Sequence, residues 1–133
     1  MATKRGDTLL FYSGGTEHLF VVMNDPVFSL EHNAHSILVV NFSTVRPNVP
    51  HDKTCLLENG CHSFVQHPTY VVFGRADILN AERVAAQVDA GEITAHEPVD
   101  EKLFALLCSG FKKSRAVTPK TKRFISRCLG ELK

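Results

Sequence analysis

The chain has 133 residues, enough to bury a core as a single domain without disulfides or metal staples. Its 44% hydrophobic and 22% charged fractions are those of an ordinary soluble globular protein rather than a disordered or fibrous one. The net charge of +1 hides an asymmetry. Residues 111–133 carry eight basic side chains against Glu131 alone, a balance of +7, so the first 110 residues carry −6. The basic side chains are Lys112, Lys113, Arg115, Lys120, Lys122, Arg123, Arg127 and Lys133. Such a run suits an anionic partner such as nucleic acid, or is simply a solvated helix face. With only Phe111 and Phe124 interleaved, both expected in the core, the run is suited to contact phosphates rather than to stack bases.

No apolar run approaches the roughly 20 residues that span a bilayer, so no membrane partner is expected. Lys4 and Arg5 are followed by an apolar stretch too short for a secretory leader, and no cleavage pattern follows. A cytoplasmic protein with reduced cysteines is the resulting expectation.

In chain order, residues 7–12 form a first predicted strand, with a turn at Ser13-Gly14-Gly15-Thr16. Residues 18–23 are a short apolar run stopped by Asn24-Asp25-Pro26, and residues 36–42 are a second, rich in β-branched side chains. Pro47 and Pro50 bracket the next loop, residues 54–57 form a weaker strand closed by Glu58-Asn59-Gly60, and residues 69–73 form the last strong one. The 18–23 and 36–42 runs are apolar on both faces, which calls for a cover on each side, as in a small closed barrel with helices outside.

The second half has helical periodicity. Asn80 caps a predicted helix over 81–90 that stops at Gly91, and Asp100 caps one over 101–109 that stops at Gly110. Thr118-Pro119 is a cap with proline at the first helical position, and the period continues through Leu129 to Gly130. Strands followed by helices indicate an α+β fold.

Residues 51–67 concentrate His51, Cys55, Cys61, His62 and His67, more proton-transfer and metal-binding groups than any other window. Zinc is one option, but Cys55/Cys61 and His62/His67 do not have ribbon or finger spacing, so no metal or other cofactor is assigned. A nucleophilic Cys61 is disfavoured because adjacent Cys61 and His62 rarely face one another. General acid/base chemistry is the sharper alternative to histidines merely sitting in a polar loop. His18, His62 and His67 would transfer protons, Ser43 and Thr44 at the end of the 36–42 strand would bind a phosphate oxygen, and Asp52 would orient an imidazole. This reading requires the three imidazoles to share one pocket with Ser43 and Thr44.

The order Gly6-Asp7-Thr8-Leu9-Leu10, then HLFVVMNDP over 18–26, then ILVVNFST over 37–44 resembles the MazF/PemK family of toxin endoribonucleases. The likeness covers residues 6–79. It implies a small SH3-like barrel, usually a homodimer, that cleaves single-stranded RNA without metal and is held by a cognate antitoxin. The family's strand-end hydroxyl falls near Ser43 or Thr44, whereas His18 stands where the family's loop-end arginine would fall. Either His18, His62 and His67 form a different acid/base set, or the barrel is a non-catalytic module binding a protein or nucleic acid.

Overall fold

A computed structural model describes residues 3–13 and 15–133, apart from the side chain of Ser13; one glycine of the predicted turn, Gly14, lies outside them. The architecture is α+β, with eight antiparallel strands and three α-helices among the described residues. Strand β1 (Thr8–Ser13) pairs with β2 (Thr16–Val22), and β4 (Ala34–Thr44) is an eleven-residue spine. Two short strands share each edge of that spine. β2 and β3 (Val27–Ser29) lie along one edge, and β6 (Thr69–Val71) and β7 (Asp77–Asn80) along the other.

The chain bends between the strands of each pair, and a specific bond repairs each break in the ladder. Between β2 and β3 the buried Asn24 carboxamide donates to the Ser36 carbonyl at 3.2 Å and accepts from the Leu38 amide at 2.8 Å. Between β6 and β7 the Val72 amide donates to the Asn41 carbonyl at 2.9 Å before a 3₁₀ turn over Phe73–Arg75. Backbone groups that would otherwise be buried unpaired are thereby satisfied.

The expected closed SH3-like barrel is not what forms. The sheet is an open path, β5-β6-β4-β2-β1-β8, ending at β5 (Leu56–Leu57) on one side and β8 (Thr94–His96) on the other. The demand for cover on both faces is instead met by helices on each side. On one face Leu19, Val21, Leu38, Val40 and Phe42 pack with Phe73 and with Leu103, Phe104, Leu107 and Phe111 of α2 (Glu101–Lys113). Phe124 of α3 (Pro119–Phe124) joins the same cluster. On the other face Leu9, Val22, Ile37 and Val39 meet Ala81 and Val84 of α1 (Ala81–Asp89). The basic C-terminal helices are therefore part of the main core and not a loose tail.

All three predicted caps form. Asn80 accepts from the Arg83 amide at 3.1 Å, Asp100 from the Leu103 amide at 2.8 Å and Thr118 from the Thr121 amide at 3.3 Å. Gly110 does not stop α2, which continues to Lys113. A Cβ at this buried glycine would lie 2.2 Å from Phe73 Cζ, so its role is to let the ring approach the helix. After α3 the backbone widens into a π turn over Ile125–Leu129, and Gly130 ends it at φ 75°. No helix among the described residues is long and apolar enough to cross a membrane.

Candidate functional site

The spine outruns one of its neighbours. β2 pairs with β4 only from Phe20↔Asn41 to Val22↔Val39, while the start of β2 stays with β1. On the other edge β6 still pairs with Phe42, Ser43 and Thr44. The divergence of β2 opens a cleft of about 350 Å³ at the end of β4. Glu17 and His18 line one wall, Ser43, Thr44 and Arg46 the floor and exit, and Phe64, Gln66 and His67 the opposite side. The His67 side is fixed by backbone bonds. Thr69 Oγ1 donates to the His67 carbonyl at 2.7 Å, and the Val45 amide donates to the Pro68 carbonyl at 2.9 Å. Four of the residues expected together (His18, Ser43, Thr44 and His67) do share one pocket. Arg46 was not among them, although its place two residues beyond Thr44 and before Pro47, at a strand exit, was visible.

His62 lies elsewhere and is a correction to the expected set. It is 7% exposed and does not line the cleft. The Phe64 amide donates to its Nδ1 at 3.1 Å, so Nε2 carries the proton and donates to the Glu97 carbonyl at 2.9 Å. Both ring nitrogens are therefore engaged in clasping the 62–65 turn to the segment after β8. Asp52 is a second correction. Its carboxylate accepts from Ser114 Oγ at 2.6 Å and from the Thr54 amide at 2.9 Å, tying the loop before β5 to the end of α2. Burial pushes this carboxyl upward, but the hydrogen bonds from Ser114 and Thr54 outweigh it and hold the group below its ordinary range. It holds the scaffold rather than orienting an imidazole of the cleft.

Among the described residues, the cysteines and histidines of residues 51–67 do not come together as one ligand set. All four cysteines are free, and burial raises the Cys55 and Cys61 thiols above their ordinary value, which keeps them protonated. Among the described residues one group has metal-binding proximity: His62, His96 and Glu97, with ligand atoms within 4.8 Å of one another. The hydrogen-bond pattern at His62 opposes coordination. A metal on Nε2 would require the proton on Nδ1, where it would face the Phe64 N–H. A hydrogen bond from the Ser63 amide lowers the pKa of the exposed Glu97, although burial opposes the shift.

The basic residues divide into two sets. Arg123 makes two bonds to Glu31, at 3.1 and 3.2 Å, Arg127 reaches the same carboxylate at 3.7 Å, and Lys120 pairs with Asp77 at 3.3 Å. Lys112, Lys113, Arg115 and Lys122 are exposed, and no ion pair is recorded for them among the described residues. None of the seven lines the cleft.

No protein-family model, curated protein or solved structure matches this chain.

Proposed function

We propose that the cleft binds single-stranded RNA and cleaves it without metal, as the MazF/PemK resemblance implies, by acid/base transfer between His18 and His67, a set different from the family's. The observation that carries this reading is the collection of the His18 and His67 imidazoles, the Ser43 and Thr44 hydroxyls and the Arg46 guanidinium in one opening. One imidazole takes the ribose 2′-hydroxyl proton, and the freed oxygen attacks the adjacent phosphorus. The other imidazole protonates the departing 5′-oxygen, leaving a 2′,3′-cyclic phosphate and a free 5′-hydroxyl. Ser43 and Thr44 donate to the phosphate oxygens, and Arg46 balances the charge that builds on them. Lys112, Lys113, Arg115 and Lys122 supply longer-range attraction for the strand. RNA is thus the proposed partner in a cytoplasmic setting, and the family likeness adds a cognate antitoxin and a homodimer.

The test is incubation of the purified chain with labelled single-stranded RNA in chelator. His18→Ala and His67→Ala are each expected to slow cleavage by about 100-fold or more and to leave the thermal melt in place. Full cleavage by both variants would remove the imidazoles from the mechanism. Binding without cleavage by the unaltered chain would leave the cleft as a recognition module.

A further inference from the structure

Aromatic surfaces flank the polar cleft on both sides of its imidazole pair. On the His18 side, cross-strand pairing sets Phe11 opposite His18 and Phe20 opposite Leu9, so these four side chains stand on the α1 face of the sheet. Helix α1 packs against Leu9 but stops short of the other three. A second opening of about 370 Å³ lies over Phe11, His18 and Phe20, and no α1 residue lines it. Phe11 and Phe20 are half-buried, their rings stacked with centroids 4.6 Å apart and planes 28° apart. His18 lines this opening and the polar cleft alike, so the aromatic wall adjoins the proposed phosphate site.

On the His67 side the cleft is walled by Phe64, which is 36% exposed. Its neighbour Val65 is 2% exposed and anchored in the main core, which leaves Phe64 turned outward. A phenylalanine open to water in a polar cleft gains from any flat ring that covers it.

The opening beyond His18 offers ring faces rather than a selective edge. Asn41 Oδ1 has under 1 Å² accessible, and Asp77 Oδ1 already accepts from the Ile78 amide at 2.8 Å and from Lys120 at 3.3 Å. Stacking on an aromatic face needs no such edge contact, because every nucleobase has a π-face. Arg75, exposed at the rim with no ion pair recorded for it among the described residues, suits the backbone phosphate beyond a stacked base.

We infer that the cleft is a two-base site. One base of the strand stacks against Phe11 and Phe20 beyond His18, its neighbour stacks against Phe64 beside His67, and the phosphate joining them lies between the two imidazoles. The inference rests on the function proposed above and narrows its substrate to an unpaired step with a base on each side of the cleaved bond. A duplex, whose bases are held against one another, does not qualify.

The test uses 2′-O-methyl oligomers carrying one ribonucleotide, hence one bond open to 2′-hydroxyl attack, with the full chain in chelator. An abasic residue on either side of that bond is expected to lower kcat/KM on the order of tenfold. Phe64→Ala, at an exposed position, should abolish the penalty of one abasic placement and keep that of the other. Phe20→Leu, which retains apolar volume, should shrink the penalty that Phe64→Ala keeps. Equal cleavage of intact and abasic oligomers overturns the two-base site and leaves the RNA reading standing, as do penalties that Phe64→Ala leaves unaltered. If no oligomer is cleaved, anisotropy with the same labelled oligomers decides. Binding that weakens at abasic positions, with one such loss absent in Phe64→Ala, upholds the base sites and removes cleavage alone. Binding indifferent to the bases, or no binding, overturns them.

Discussion

Asn41 and His62 are both buried polar residues, yet their surroundings treat them in opposite ways. Among the described residues the Asn41 Oδ1 has no hydrogen-bond partner, while each His62 ring nitrogen has one. Removing the unpaired acceptor should therefore help folding. Asn41→Leu is expected to raise stability by about 1–2 kcal/mol in urea melts. His62→Ala strands the Phe64 amide and the Glu97 carbonyl, and should lower stability by about 1–3 kcal/mol without changing RNA cleavage. Loss of cleavage with an unchanged melt would return His62 to the mechanism.

Asp52 makes a pH-dependent prediction. Its folded pKa lies below its ordinary value of 3.8, so the unfolded chain takes up the proton first as pH falls. The stability it contributes is present above that ordinary value and is lost as pH drops through the lower, folded one. Melts of the unaltered chain and Asp52→Asn should differ most near neutrality and converge in acid below that value. A gap that widens on acidification would give the shift the wrong sign.

At the scale of elements, α2 shows what a sequence reader sees and misses. The caps Asn80, Asp100 and Thr118 were legible because a capping side chain must sit beside the helix it starts. The buried character of β2 and β4 was legible because both faces are written in adjacent residues. Gly110 was read as a stop, because nothing within α2 announces that the Phe73 ring lies against it. The short strands β3, β7 and β8 escaped because three or four residues hold no period, and β7 and β8 are defined by partners distant in sequence. The candidate site was half legible for the same reason. Ser43 and Thr44 follow from where a strand ends, but the turn that carries His62 away from His67 depends on a bond to Glu97, 35 residues further on. Gly110→Ala makes the packing argument measurable. A helix interior ordinarily gains up to about 1 kcal/mol from this change, but here overpacking should cost about 1–3 kcal/mol. Phe73→Leu in the same chain should recover part of the loss, and a net gain from Gly110→Ala alone would refute the close approach.

Across the whole molecule, the positive charge is partly consumed internally. Glu31 holds Arg123 and Arg127, and Asp77 holds Lys120, which leaves Lys112, Lys113, Arg115 and Lys122 for an outside anion. Each phosphate contact on a single strand contributes about 0.7 to the slope of log affinity against log salt. Replacing all four with Gln should flatten that slope by up to about 3 and leave the cleavage rate of bound RNA unchanged. An unaltered slope would confine RNA contact to the cleft.

The eleven-residue spine also has a consequence for how the protein is made. Strand β4 is complete at Thr44, but the segments that occupy its second edge begin only at Thr69 and end at Asn80. During synthesis that edge waits, apolar and unpaired, while the intervening residues are added, and another nascent copy can dock on it as readily as β6. Fragments cut between Thr44 and Thr69 should therefore aggregate, whereas the full chain, with the second edge of β4 paired and its apolar face covered by α2, should stay dispersed.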